Sequence, residues 1–231
     1  FAWPILNPLA LILVYTLVFS KLMSAKVPGA EGIYSYSVYL CIGIIIWTLF
    51  SEITARSQNI FLDNANLIKK LNFPRICLPI IIILNASLNF LIIFSLFTIF
   101  LILTGNFPGW CFLAVIPLLL IQILFAIGVG MTLGTLNVFF RDVGYFYTVA
   151  LQFWFWLTPI VYSVNILPER VQDLLQLNPL TNLITAYQTI FVLQEWPNWA
   201  SLIYISSASL VLILLARYLF IKHAGEMVDL L

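Results

Sequence analysis

Long apolar runs alternate with short polar interruptions along the chain, and the charged residues lie in the interruptions or near the ends of the runs. A helix that crosses a bilayer needs about 20 mainly apolar residues, and several of these runs reach that length. The pattern predicts an all-α membrane protein with six transmembrane helices, built as a single transmembrane domain over residues 1–231. The predicted spans cover about 3–22, 36–57, 76–103, 110–140, 143–163 and 199–221.

Composition agrees with this class of protein. Hydrophobic residues make up 63% of the chain and charged residues 8%, whereas a soluble domain carries about 25% charged residues. Most of the chain is therefore expected to face lipid or other helices rather than water. The net charge of +1 gives no indication of a nucleic acid partner. The three cysteines have no CxxC spacing and no histidine near them, so we expect packing residues rather than metal ligands.

The first long polar interruption covers residues 63–79 and reads DNANLIKKLNFPRICLP. Asn64 or Asn66 is placed to cap a short helix that runs over about 64–72, and Pro74 ends it because proline disfavours helical geometry in the residue before it. Apolar residues on one flank with two lysines beside them suit docking on a protein outside the membrane. An ordinary cytoplasmic loop that follows the positive-inside bias explains the same residues.

The second long polar interruption covers residues 164–198 and predicts two short helices, 168–177 and 178–191. Each is too short to span a bilayer, yet both are rich in leucine. We expect a re-entrant hairpin that dips into the outer leaflet between spans five and six, because irregular backbone at that depth must be shielded by protein. Two interfacial helices that lie flat on the membrane are the alternative.

The distribution of basic residues predicts the orientation, because cytoplasmic loops carry an excess of lysine and arginine. Of the ten such residues, seven lie on the side of the first interruption and three on the other. Both termini are therefore expected in the cytoplasm. Three tryptophans, Trp110, Trp196 and Trp199, then fall at the outer interface, where indole rings favour the headgroup layer. The seven are Arg56, Lys69, Lys70, Arg75, Arg141, Arg217 and Lys222, and the three are Lys21, Lys26 and Arg170.

Polar and aromatic side chains within the spans are candidates for a substrate path. Amides inside a membrane either join helices by hydrogen bonds or line a polar pathway. Aromatic faces stack on sugar rings, but they also pack in cores and anchor helices at interfaces. Two glycines, Gly130 and Gly134, are spaced for close helix contact, and Glu52 and Arg56 are spaced for an ion pair. The candidate path residues are Tyr34, Tyr36, Tyr39, Asn85, Asn89, Trp154 and Trp156.

The sequence has no motif for nucleotide or bond-breaking chemistry. No glycine is followed by lysine, so a phosphate-binding loop is absent, and neither HExxH nor GxSxG occurs. Transport against a gradient would need energy from another chain. A multi-spanning membrane enzyme that acts on lipid or sugar stays an alternative, and it predicts acidic or histidine side chains clustered at bilayer depth. A passive channel would need rings of charge or a filter-like backbone segment.

Four segments in order carry a family resemblance: NANLIKKLNFPRICLP, LNVFFRDVGYF, TPIVYS and LNPLT. Together with six predicted spans, this order resembles the type-2 permeases of ATP-binding cassette exporters, within them the branch that exports lipid-linked O-antigen. The resemblance implies a homodimer with two copies of a separate ATPase in the bacterial inner membrane, and export of a lipid-linked glycan. It leaves open teichoic acid, drugs or small lipids as cargo.

The resemblance also assigns residues. It implies that the segment from Asn66 to Arg75 is the coupling helix that seats in the ATPase, and that residues 140–143 form the second cytoplasmic turn. ATP and Mg would sit on the partner subunit, so no cofactor is expected in this chain. The implied outer gate residues are Pro168, Asn178 and Pro179. The implied coupling residues are Asn66, Leu67, Ile68, Lys69, Lys70, Leu71, Arg75, Arg141 and Asp142.

Overall fold

The computed structural model describes residues 35–70, 77–164 and 167–230, and it leaves undescribed the side chains of Leu67, Lys70 and residues 228–230. This part of the chain is helical and contains no strand. The α-helices are α1 (Ser35–Asp63), α2 (Ala65–Lys70), α3 (Cys77–Thr104), α4 (Val115–Phe139), α5 (Asp142–Trp156), α6 (Glu169–Gln176), α7 (Pro179–Gln188) and α8 (Leu202–Leu230).

Four helices of the described chain are long and apolar enough to cross a membrane. They are α1, α3, α4 with the 3₁₀ turn Gly109–Ala114 before it, and α8 with the 3₁₀ turn Trp199–Ser201 before it. A helix satisfies its backbone hydrogen bonds internally, as a lipid environment requires. These four elements correspond to the predicted spans two, three, four and six.

The other two predicted spans are not established by the structure. The first, 3–22, lies outside the described residues. The fifth, 143–163, corresponds to α5, which has 15 residues and is therefore about 22 Å long, less than a hydrocarbon core of about 30 Å. The chain after Trp156 leaves helical geometry, because Pro159 disfavours it at Thr158. A count of six spans therefore stays a prediction.

The two short helices predicted in the second interruption are present as α6 and α7. Asn178 caps α7, since its side-chain oxygen accepts a hydrogen bond from the Leu180 backbone N–H and Pro179 occupies the first turn. Most of α7 is buried, whereas α6 buries Leu175 and leaves Leu174 66% exposed. The helical pair is confirmed, and its depth in a membrane remains a prediction.

The described residues belong to two compact units. The first unit contains residues 35–48, 88–119 and 155–202, apart from 165 and 166. Its core includes a cluster of phenylalanine rings. The centroid of the Phe191 ring lies 5.9 Å from that of Phe94, 5.6 Å from that of Phe97 and 6.1 Å from that of Phe112. The thiol of Cys111 is buried and donates a hydrogen bond to the Gln194 carbonyl oxygen, which fits the packing role expected for cysteine.

The second unit contains the described residues of 49–87, 120–154 and 203–230. The close contact predicted at two glycines of α4 is confirmed there. A Cβ atom at Gly130 would lie 2.5 Å from Ser57 Cβ, and one at Gly134 would lie 2.5 Å from the Ser57 carbonyl oxygen. Only glycine allows the α4 and α1 backbones to approach this closely.

Candidate functional site

The predicted coupling helix is α2, and a single residue joins it to α1. Asn64 occupies the predicted cap position, but its side chain turns back and donates a hydrogen bond to the Ile60 carbonyl oxygen at 2.8 Å. Its backbone carbonyl instead accepts from the Ile68 N–H, at 3.1 Å. Asn64 therefore links α2 to the end of α1 through both its side chain and its backbone carbonyl.

Of the four described side chains of α2, one is buried, Ala65 is half-buried and two are exposed. Ile68 is 8% exposed, so it anchors α2 to its own chain. Asn66 and Lys69 are exposed and available to a partner. Four predicted coupling positions cannot be assigned in this way, because the side chains of Leu67 and Lys70 and the whole of Leu71 and Arg75 lie outside the described residues.

The predicted second turn lies between α4 and α5. Arg141 and Asp142 are both exposed there, and Phe140 beside them is 66% exposed. Asp142 is in the first turn of α5, where a negative charge is favourable because of the helix dipole. The turn therefore presents one apolar and two charged side chains at the surface of the second unit.

Asn137 near the end of α4 joins three segments of this unit, and we call it the hub. Its side-chain Nδ2 donates to the Gln58 carbonyl oxygen and to Asn59 Oδ1, each at 3.0 Å. Its Oδ1 accepts from the Gly144 N–H at 2.9 Å. That N–H is in the first turn of α5, which has no intrahelical acceptor. The hub thus fastens the last part of α1 to the start of α5.

The sequence reasoning did not single out Asn137, although the quoted segment LNVFFRDVGYF contains it. The available signal was an asparagine in an otherwise apolar run, with a glycine seven residues later. A Cβ atom at Gly144 would lie 3.1 Å from the Asn137 amide, so the glycine makes room for this contact. We call α2, the turn at residues 140–142 and the hub together the coupling end.

A second polar arrangement, which we call the clamp, holds the irregular segment 157–162 of the first unit. Tyr36 donates to the Val161 carbonyl oxygen at 2.8 Å. Tyr39 donates to the carbonyl oxygens of Pro159 and Tyr162, at 3.2 and 2.8 Å. The other two donors are Gln188, to the Pro159 carbonyl oxygen at 3.2 Å, and Asn178, to the Leu157 carbonyl oxygen at 3.3 Å and Thr158 Oγ1 at 3.0 Å.

The clamp supplies hydrogen-bond donors to carbonyl oxygens of this non-helical segment. An unpaired carbonyl oxygen is costly in a low-dielectric environment. Close approach of α1 is possible because Gly43 lacks a side chain, since a Cβ atom there would lie 3.2 Å from Ile160 Cγ2. The hydroxyls of Tyr36 and Tyr39, both predicted path residues, are thus used by the protein's own backbone. Their rings stack on each other at 6.1 Å.

The remaining candidate path residues differ in accessibility. Trp154 packs in a cluster of aromatic rings, with its ring centroid 5.3 Å from that of Phe50 and 6.4 Å from that of Phe125. Trp156 is 65% exposed, and Asn85 is also exposed. Asn89 is half-buried and Tyr34 lies outside the described residues. Only Trp156 and Asn85 of the described candidates present largely exposed side chains to a ligand.

Glu52, an acidic residue near the middle of α1, is paired. The predicted ion pair between Glu52 and Arg56 is confirmed, with Nη2 and Oε1 2.7 Å apart. No group of three or more histidine, cysteine, aspartate or glutamate side chains that is able to hold a metal occurs among the described residues. Arg141 and Asp142 are exposed at a turn rather than gathered in a cluster.

Four long apolar helices, with the short helix α2 directly after the first of them, define a polytopic membrane protein. Comparison with known proteins assigns its family. Residues 1–192 match the ABC-2 type transporter family, and the chain belongs to that family. It is similar to proteins named O-antigen export system permease protein RfbA. One from Klebsiella pneumoniae is 31% identical over 193 residues, covering 83% of this chain and 72% of the relative.

Two further relatives carry the same name. Another Klebsiella pneumoniae protein is 30% identical over 227 residues, covering 96% of this chain and 85% of the relative. A Myxococcus xanthus protein is 29% identical over 231 residues, covering 99% of this chain and 86% of the relative. The similarity therefore extends over nearly the whole chain, including the regions of the clamp and the coupling end.

Proposed function

We propose that this chain is the membrane-spanning permease subunit of an ATP-driven exporter that carries a lipid-linked, O-antigen-like polysaccharide from the cytoplasm to the periplasm. The observation that carries the proposal is the similarity over nearly the whole chain to relatives named as O-antigen export permeases. The chain would work as a homodimer with two copies of a separate ATPase that holds ATP and Mg. It would lie in the bacterial inner membrane with six spans and both termini in the cytoplasm.

The coupling end supports a specific route for the energy. ATP binding would draw the ATPase subunits together and push on the exposed surface of α2 at Asn66 and Lys69. Because Asn64 alone separates α2 from α1, the push would tilt the end of α1. The hub would then carry this motion to the start of α5. The exposed turn at Arg141 and Asp142 offers the ATPase a second point of contact.

Co-purification tests this route most simply. The tagged permease should retain its ATPase at one-to-one stoichiometry, and Lys69→Glu should weaken that association by about tenfold or more, because reversing a charge at an interface creates like-charge contact. Lys222→Glu is the matched control, since Lys222 is an exposed lysine outside the coupling end. Equal retention by both variants would contradict the assignment of α2.

A complementation experiment tests the cargo. The chain, expressed with its ATPase in a strain that lacks its own O-antigen permease, should restore O-antigen at the cell surface. Loss of restoration in the Lys69→Glu variant, with normal membrane insertion, would link export to coupling. Export of teichoic acid, a drug or a small lipid in place of O-antigen would keep the family and overturn the cargo.

A further inference from the structure

An apolar groove in the second unit is separate from both the clamp and the coupling end. It is a cavity of about 510 Å³ whose walls include Pro79 of α3, Gly128 and Met131 of α4, and Ala216, Arg217 and Phe220 of α8. Pockets of this size accommodate small amphiphilic ligands. We call it the groove.

The groove exists because small residues stand where the helices approach. A Cβ atom at Gly128 would lie 2.9 Å from Leu212 Cβ, so α4 and α8 touch with almost no side chain between them. Ala216 contributes only a methyl group to the wall. The neighbouring Ile221 is 63% exposed, so the groove opens at the surface of the unit.

Among the described residues that line the groove, Arg217 alone is charged, and its side chain is exposed. Neither ion pair found among the described residues includes it. Arginine remains charged at any physiological pH, and its planar guanidinium matches phosphate oxygens. A cation without an ion-pair partner among the described residues, placed beside an apolar groove, suits an amphiphile with an anionic head and an apolar chain.

The position of Arg217 fits the headgroup layer. Trp199, which is 44% exposed, begins the spanning segment Trp199–Met227. Arg217 lies about 27 Å further along at 1.5 Å per residue, close to the thickness of the hydrocarbon core of about 30 Å. A long basic side chain that far along a spanning helix extends its charged end to the headgroup layer.

We propose that the groove binds a resident anionic phospholipid, with an acyl chain against the apolar wall and the phosphate on Arg217. The complementary charge favours an anionic head over a zwitterionic one. The open surface favours a lipid that enters from the surrounding bilayer. This site is independent of the export function proposed above, because none of its residues belongs to the coupling end.

Native mass spectrometry of the full-length, delipidated protein tests the site. Phosphatidylglycerol and phosphatidylcholine with identical acyl chains are the probes. The unaltered protein should bind phosphatidylglycerol more tightly, and Arg217→Gln should lower that affinity about tenfold, because hydrogen bonds to charged groups are worth this much. Arg217→Lys should retain part of the preference. Lys222→Gln, a matched loss of charge outside the groove, should leave it unchanged.

A second variant tests the apolar part. Ala216→Phe should fill the groove and weaken both lipids, while Arg217→Gln should weaken only the anionic one. Equal effects of Arg217→Gln and Lys222→Gln would overturn the proposal, because attraction would then be nonspecific. Displacement of phosphatidylglycerol by a lower concentration of undecaprenyl phosphate would also overturn it, and would assign the groove to a carrier lipid. Formation of tight dimers that bind no lipid would likewise overturn the proposal, and would indicate that a second copy of this chain covers the groove.

Discussion

The clamp and the coupling end both secure a helix terminus with polar side chains, but they distribute the hydrogen bonds differently. In the clamp, four side chains reach four carbonyl oxygens of one irregular segment. In the coupling end, one side chain makes three hydrogen bonds, two to α1 and one to α5. Because several side chains hold the same segment in the clamp, that segment should tolerate the loss of one hydrogen bond. A single hub makes the attachment of α5 to the last part of α1 depend on one side chain.

The largest effect is therefore expected from the hub. Asn137→Ala should lower the free energy of unfolding by about 2 to 3 kcal/mol, because it removes three hydrogen bonds and takes away the acceptor of the Gly144 N–H. It should also reduce the stimulation of the ATPase by the permease. Thermal unfolding in detergent and ATP hydrolysis by the reconstituted complex measure the two effects. Asn85→Ala, which truncates an exposed asparagine, is the control for stability and should leave the free energy of unfolding nearly unchanged, and an equal loss of stability in the two variants would remove the special role of Asn137.

A somewhat smaller effect is expected from close packing next to the hub. Gly134→Ala should cost about 1 to 3 kcal/mol, since its new methyl group would meet the Ser57 carbonyl oxygen and force two backbones apart. Gly225→Ala on α8 is the matched control, because no atom of the described residues beyond its own stretch of helix lies within 4 Å of the added Cβ, and it should stabilise by up to about 1 kcal/mol. The midpoint of thermal unfolding distinguishes them, and a neutral Gly134→Ala would contradict the close approach of α4 and α1.

Within the clamp, single losses should be milder. Tyr39→Phe removes two hydrogen bonds to carbonyl oxygens, yet Gln188 still supports Pro159, so we expect a loss of about 1 kcal/mol. The double variant with Gln188→Leu should lose more than the sum of the single variants, because Pro159 is then unsupported. If the losses in free energy of unfolding were strictly additive, Tyr39 and Gln188 would not support Pro159 jointly. Tyr218→Phe, at an exposed tyrosine, is the control.

The smallest effect on stability is expected at Trp156, which is 65% exposed. Trp156→Ala should change the free energy of unfolding by less than about 0.5 kcal/mol. If this side chain stacks on the glycan, the variant should still reduce glycan-stimulated ATP hydrolysis. Trp110→Ala is the matched exposed tryptophan. Equal activity of both variants would remove Trp156 from the substrate path.

Run length and turn chemistry were sufficient to predict most helices. The apolar runs that became α1, α3, α4 and α8 are long enough to cross a membrane, and Asn178 with Pro179 marks the start of α7. These features are local, because a helix makes its own hydrogen bonds and an asparagine caps within two residues. The same locality explains the ion pair between Glu52 and Arg56, four residues apart.

The features that sequence reasoning missed depend on distant partners. The segment after α5 reads as a continuation of an apolar span, and the tyrosines that hold it are more than 100 residues away. Asn137 reads as one polar residue in an apolar run, and only the fold brings Gln58 beside it. Ile68 is predicted to be a coupling residue; its burial at 8% exposure depends on contacts that the sequence alone does not reveal, and its coupling role stays a prediction.

Cysteine cross-linking at Lys69 tests the claim that this protein is driven by a separate ATPase through α2. The native residues Cys41, Cys77 and Cys111 would first be replaced by alanine, and Lys69→Cys and Trp110→Cys would be introduced singly. We predict that a short bismaleimide links position 69 to the ATPase, and that a membrane-impermeant maleimide added outside the inner membrane labels only position 110. Labelling of position 69 from outside, with no cross-link to the ATPase, would contradict the coupling role of α2.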